Sequence, residues 1–339
     1  MHRGHLPCFA RLKVARTYPV TSSISAWAEQ IRSGNIRALS RAITAVENRT
    51  PDAHELLKAL FAHSGRARVV GLTGSPGAGK STLVDALAAQ YRKHQKTVGI
   101  IAIDPTSPFT GGAILGDRIR MQSHTGDAGT YIRSMATRGA LGGLSSTTAD
   151  VATLLDAAGR DLVLIETVGV GQDEVDIVRL ADVTVVILVP GMGDDVQSIK
   201  AGIMEIADIF VINKADRDGA ERVEREIKAM QSLSMRHDNW VPPVLKTIAS
   251  TGAGVPELAA AIDEYEAFLD GSELGRQRRI ANWRNRLREM LRDEVLHRIV
   301  EGAFSDDAVE LYAAQVAGHE RDPYSLIGEI VGKLARQEP

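Results

Sequence analysis

Six short runs of β-forming apolar residues, at 69–73, 98–103, 162–166, 183–189, 209–213 and 244–248, alternate with stretches of helical periodicity. The runs are apolar at consecutive positions, which calls for burial on both faces of the strands. A chain with this pattern folds as a mainly parallel central sheet with helices on either side, an α/β architecture. Before the first run, Trp27, Ile31, Ile36, Leu39, Ile43 and Val46 recur near helical spacing, and Pro51 followed by Asp52 breaks the series. After Glu266 the strands stop. A helix follows, with Trp283, Leu287, Met290, Leu291, Val295 and Ile299 on one side and many arginines on the other. The expected organisation is a flexible basic leader (1–21), an N-terminal helical extension (22–67), an α/β domain (68–265) and a C-terminal helical segment (266–339).

Gly74, Ser75, Pro76, Gly77, Ala78, Gly79, Lys80 and Ser81 match G-x-x-x-x-G-K-[ST] between an apolar run and the helical run that opens at Thr82. Glycines let successive amides turn inward around a phosphate, and a helix N-terminus adds its dipole. In such a loop Lys80 reaches the β- and γ-phosphates and Ser81 offers its hydroxyl to Mg2+. These residues, with Thr82 beside them, are the candidate phosphate contacts.

Asn213-Lys214-Ala215-Asp216 closes the fifth apolar run, and ligands of open α/β sheets collect at strand ends. A carboxylate at Asp216 can accept from both the ring imino group and the exocyclic amine of guanine, a pair of donors that adenine lacks. Asn213, Lys214 and Asp216 are therefore candidate base-site residues. Ile248, Ala249 and Ser250 after the last run join them, with the Ala249 amide offered to the guanine carbonyl. Three carboxylates stand where a metal and moving loops belong: Asp104 at the end of the second run, Asp117 in a glycine-rich stretch, and Glu166 at the end of the third. Magnesium keeps several waters and uses few carboxylates, so not all three bind it directly in one state. A helix cap at Asp104, a loop charge at Asp117 and a plain strand-end charge at Glu166 are the ordinary alternatives.

The balance of the 339 residues excludes several classes. A net charge of −3 argues against a general nucleic-acid or membrane-surface binder. Cys8 is the only cysteine, so an intramolecular disulfide is impossible and a cysteine-based metal site is excluded. No apolar run approaches the ~18 residues of a membrane span. Arg3, Arg11, Lys13 and Arg16 sit in an acid-free leader, read as a basic tail, with a transit peptide as the other reading. Cytoplasm is the expected location, or the mitochondrial matrix if that leader is a targeting signal. Between Arg276 and Arg298 the basic residues are interleaved with Glu289, Asp293 and Glu294, the pattern of a solvated face on a partner-binding helix.

Four longer stretches are more specific. They are Ile103-Asp104-Pro105-Thr106-Ser107-Pro108, Gly116-Asp117-Arg118-Ile119-Arg120-Met121, Glu166-Thr167-Val168-Gly169-Val170-Gly171-Gln172, and Pro190-Gly191-Met192-Gly193-Asp194-Asp195-Val196-Gln197 continuing through Lys200. With the phosphate and base motifs, they make the chain resemble the P-loop GTPases that act as chaperones of methylmalonyl-CoA mutase. The resemblance runs from about Ala26 to the C-terminal helices. It implies a GTPase domain (the G domain) binding GTP or GDP with Mg2+, an N-terminal helical extension, and a C-terminal helical arm that makes a homodimer. The implied partner is an adenosylcobalamin-dependent acyl-CoA mutase, whose cofactor loading and integrity such a protein guards.

Carried over position by position, Lys80, Asp104, Asp117, Glu166 and Lys200 are the catalytic and switch residues, with Ser81, Asp104, Asp117 and Glu166 at the metal. Lys200 falls in an extra switch that couples nucleotide to partner. Gln172 could orient water or simply start a helix. Three rival classes are weaker. A GTPase for nickel insertion usually brings His- or Cys-rich metal stores, whereas the nine histidines here are scattered. An ATP-using kinase conflicts with the guanine motif. A scaffold with a decayed site conflicts with intact nucleotide motifs.

Overall fold

The computed structural model describes residues 22–104, 126–136, 143–167, 180–191, 206–233, 240–303 and 306–334. Three helices come first: α1 (Ser22–Arg32), α2 (Ile36–Glu47) and α3 (Pro51–Phe61). Asn35 caps α2, its Oδ1 accepting from the Ala38 amide at 3.0 Å. Pro51, which breaks the apolar series in the sequence, is the first residue of α3, a position where its missing N–H costs nothing.

Then come β1 (Arg68–Gly74), α4 (Lys80–Lys93), β2 (Val98–Asp104), β3 (Thr130–Ala136), α5 (Gly143–Ala157) and β4 (Leu162–Glu166). They are followed by β5 (Val183–Leu188), β6 (Ile209–Asn213), α6 (Ala220–Leu233), β7 (Val244–Thr247) and α7 (Val255–Leu269). The chain ends with α8 (Glu273–Ala303), α9 (Asp306–Ala317) and α10 (Pro323–Leu334). Glu266 lies inside α7, so the C-terminal segment proper begins at Glu273.

The strands form one sheet in the order β3-β2-β4-β1-β5-β6-β7. Every neighbouring pair is parallel. Six strands coincide with the six apolar runs. The seventh, β3, was not anticipated from the sequence. It is an edge strand whose middle is only half-buried and polar at Arg133 and Ser134, so it is neither continuously apolar nor cleanly alternating. Two side-chain contacts tie one face of it to α2: Ser40 and Tyr131 share a hydroxyl bond at 3.1 Å, and Arg133 pairs with Glu47.

One face of the sheet is closed by α4 and α7. On the other face, α1–α3 and α5 cover β2 and β4, while α6 covers β5 and β6. The N-terminal helices are thus a structural layer. Ile31, Leu39, Ile43, Leu56 and Leu60 pack in one cluster with Ile101, Val163 and Ile165 of the sheet. Ile36, counted in the apolar series, is 45% exposed. The link into β1 is held by Asp156 of α5, which accepts from the amides of Gly65, Arg66 and Ala67.

Two arginines root α8 on this body. Arg278 makes paired bonds to Asp208 at 3.0 and 2.7 Å and lies over the Tyr265 ring. Burial opposes its charge, but Asp208 outweighs that and holds the guanidinium above its ordinary range. Arg286 reaches Asp150 at 2.6 Å, and Trp283 meets Phe61 edge-on at 5.5 Å. The expectation of a wholly solvated basic face fails here, because these arginines face acids already fixed on the G domain. Ile280, Leu287, Leu291 and Val295 remain exposed. Among the described residues no helix is long and apolar enough to cross a membrane.

Candidate functional site

β1 is the fourth of seven strands, flanked by β4 and β5, so the chain leaves its C-terminal end where the sheet order changes direction. That crevice is where open α/β sheets place ligands. Gly74 has φ 148°, and a Cβ there would lie 2.2 Å from the Ile187 carbonyl oxygen. Gly79 has φ 85°, and its Cβ would lie 2.5 Å from Asn213 Nδ2. Both positions therefore demand glycine, one against β5 and one against the base motif. α4 starts at Lys80, which aims the free amides of its first turn into the loop.

The Lys80 ammonium is buried and donates to the carbonyls of Gly74 at 2.7 Å and Ser75 at 3.1 Å. It therefore lies across the mouth of its own loop. The Ser81 hydroxyl donates to Glu166 Oε1 at 2.6 Å, bringing together two of the four residues assigned to the metal. Their oxygens are the hard donors that magnesium prefers. Asp104 closes β2, two residues past Ala102, the register partner of Glu166, so both acids sit at the C-terminal ends of neighbouring parallel strands. Asp117, Gln172, Lys200 and the stretch 192–197 lie outside the described residues. Among the described residues no group of three or more His, Cys, Asp or Glu could hold a metal.

The second wall comes from β6 and β7. Asn213 is buried and its amide is almost fully engaged. Nδ2 donates to the Ala78 carbonyl at 2.9 Å, while Oδ1 accepts from the Thr247 hydroxyl and the Ala249 amide, both at 3.1 Å. Three of its four hydrogen-bonding positions go to protein, leaving one amide hydrogen for a ligand. The Ala249 amide, offered in the sequence reading to the guanine carbonyl, has Asn213 as its acceptor in this arrangement. Lys214, at φ 56°, donates to the Gly77 carbonyl at 2.7 Å. Asp216 is exposed at the rim, as is Ser250, while Ile248 is half-buried and bridges to Ala253. Pro76 and Thr82 are exposed along the loop and first turn. Phosphate loop and base motif are thus bolted together by two side chains before any ligand is considered.

Sequence reasoning missed Thr247, and it missed Thr73 and Thr167, whose hydroxyls meet at 3.1 Å beneath the loop. The available signal was a hydroxyl residue at or next to the C-terminal end of three strands.

A parallel sheet with a glycine loop at its switch point can hold a nucleoside polyphosphate. Lysine and helix N-terminus stand together at the loop, a hydroxyl–carboxylate pair lies beside them, and the Asn-Lys-x-Asp turn forms the second wall. Fold and site define a P-loop GTPase. Residues 39–303 match the family described as methylmalonyl Co-A mutase-associated GTPase MeaB, and the chain belongs to that family.

A Pyrococcus abyssi protein that carries the name of a GTPase is 48% identical over 314 residues, covering 90% of this chain and 96% of the relative. The mitochondrial methylmalonic aciduria type A homolog of Caenorhabditis elegans is 36% identical over 270 residues, covering 74% of this chain and 68% of the relative. A crystal structure of an LAO/AO transport system kinase superposes with a TM-score of 0.68 at 28% identity, covering 94% of this chain and all of that one. The chain is a GTPase, converting GTP to GDP and phosphate.

Proposed function

We propose that this GTPase is a chaperone of an adenosylcobalamin-dependent acyl-CoA mutase, gating cofactor loading and protecting the mutase, and that it works as a homodimer in the cytoplasm. The observation that carries the reading is the family match over 39–303, whose description names methylmalonyl-CoA mutase. A long α8 rooted on the G domain, with apolar side chains on its outer surface, supports the dimer.

Phosphoryl transfer needs positioning and charge neutralisation more than covalent help. On GTP binding, Lys80 would exchange its two loop carbonyls for β- and γ-phosphate oxygens. Ser81 and Glu166 would hold the magnesium side, with Asp104 and Asp117 joining as loops close. A bound Mg2+ would supply charge neutralisation of the β- and γ-oxygens. Asp216 would accept from guanine, Lys214 would stay on Gly77, and the remaining Asn213 amide hydrogen would face the purine. Lys200 would couple loop closure to the partner, a contact made in the activated state only.

The test is the steady-state GTPase rate with excess methylmalonyl-, ethylmalonyl- or isobutyryl-CoA mutase. Stimulation by one of them is expected, and Lys200→Ala should lose that stimulation while keeping GTP affinity. No stimulation by any of the three overturns the chaperone reading, whereas full stimulation of Lys200→Ala removes Lys200 alone.

A further inference from the structure

Along β1 and β4 the side chains alternate between two apolar layers. Val70, Leu72, Leu162 and Leu164 enter the core under α4 and α7. Val163 and Ile165 enter the core built with the N-terminal helices, against which Val69 also packs. The period of two calls for apolar side chains at 73 and 167, the next positions on that second face. Both are threonine, and they are 0% and 2% exposed. Valine would fill either place with no hydroxyl to satisfy, and a buried hydroxyl opposes folding unless it is bonded.

The register that pairs Leu72 with Glu166 sets the two threonines abreast. The Thr167 hydroxyl donates to Thr73 Oγ1 at 3.1 Å, and the Thr167 amide donates to the Leu72 carbonyl at 3.2 Å. Thr73 is the residue before Gly74, and Thr167 is the residue after Glu166. Glu166 and Thr167 therefore grip opposite faces of the sheet. The carboxylate is held by Ser81 at the start of α4, and the hydroxyl by the strand that carries the phosphate loop. Rotation of the β4 tip would break both bonds together.

We propose that the Thr73–Thr167 hydroxyl pair is a positioning device that holds the Glu166 carboxylate within reach of Ser81. It rests on the reading of Ser81 and Glu166 as the magnesium side of the site. The directional bond replaces two methyl groups at the one level of the sheet where orientation of the neighbouring carboxylate matters. Small displacements of a positioned group have large chemical consequences.

The test uses the full chain and a fluorescent N-methylanthraniloyl-GDP. Three quantities are measured: the magnesium concentration for half-maximal nucleotide retention, the release rate in EDTA, and the urea midpoint. Thr167→Val is expected to raise the required magnesium about tenfold while leaving release in EDTA unchanged, and Thr167→Ser to restore it. Thr73→Val combined with Thr167→Val should recover the urea midpoint, because two apolar groups then pack together, yet keep the magnesium defect. Wild-type magnesium dependence in that double variant, or an equal change with and without magnesium in Thr167→Val, overturns the proposal and leaves the pair as packing. Glu166→Gln reports the metal reading separately. If it leaves the magnesium dependence untouched, that reading falls and the proposal with it.

Discussion

Replacing Asn213 by alanine removes the bolt between phosphate loop and base motif. The side chain is 1% exposed and makes three hydrogen bonds, to the Ala78 carbonyl, the Thr247 hydroxyl and the Ala249 amide. Each partner lies in a residue less than 10% exposed, so water cannot readily take the place of the amide. At about 1 kcal/mol for each abandoned partner, the low end for buried unsatisfied groups, the expected loss is about 3 kcal/mol. Part of it appears as lost stability of the free protein. The rest appears as lost affinity, because binding must re-impose the loop positions that Asn213 no longer holds.

The sum of the two is the quantity to measure, from urea unfolding without nucleotide and calorimetry with GDP and Mg2+. If the whole loss fell on affinity, binding would weaken by a little over about a hundredfold. Asn213→Asp keeps the acceptor for Thr247 and Ala249 but sets a carboxylate oxygen against the Ala78 carbonyl. It should therefore be at least as damaging. A combined loss below about 1 kcal/mol for Asn213→Ala would refute the bolt, because one unsatisfied buried partner alone should cost about that much.

Asp216→Asn should move base preference from guanine toward xanthine nucleotides, read by calorimetry, because the amide presents a donor where guanine has one; equal ATP and GTP affinity in the wild type would defeat the base assignment. Leu287→Glu with Leu291→Glu, at 59% and 65% exposure on the outer side of α8, should convert a dimer to monomers in light scattering with the urea midpoint kept. The cost is about 1.5–3 kcal/mol per buried leucine, and a wild-type monomer removes the idea. Hydrogen bonds from Lys228 and then Lys246 hold Glu224 down at about 2, below its ordinary 4.5. A depressed carboxylate contributes stability above pH ~4.5 that is lost as pH falls toward ~2. Wild type should therefore lose its advantage over Lys246→Met across that window, and parallel pH profiles would contradict it.

Much of the site is legible without coordinates because its signals are local. The phosphate loop needs glycines, lysine and serine within eight consecutive positions, and β1 and α4 follow from the periodicity on either side of it. Asp216 and Glu166 are readable because a strand of continuous apolar residues announces where its end must be. The five inner strands have the same reason: burial on both faces leaves a nearly unbroken hydrophobic signature, whereas β7 lies at the sheet edge and is mostly half-buried.

Other features depend on which distant segments meet. β3 is a strand because β2 offers it an edge, with α2 bonded to Tyr131 and Arg133 on one face, and nothing within 130–136 encodes either partner. The N-terminal helices announce an apolar stripe, but only packing shows that Leu39, Ile43 and Leu56 complete the core of the sheet. Arg278 and Arg286 carry the same charge as the solvent-facing arginines beside them, and Asp208 and Asp150 pick them out from far earlier in the chain. The same holds for Asn213, which the motif assigns to a nucleotide and the fold assigns mainly to Ala78, Thr247 and Ala249. Sequence by itself determined six of the seven strands, the loop and the chemistry of the motif residues, since each is written within one turn or one strand. Tertiary structure alone decided what those residues hold, because hydrogen-bond partners and buried charges are chosen by proximity across dozens of residues, and proximity has no local code.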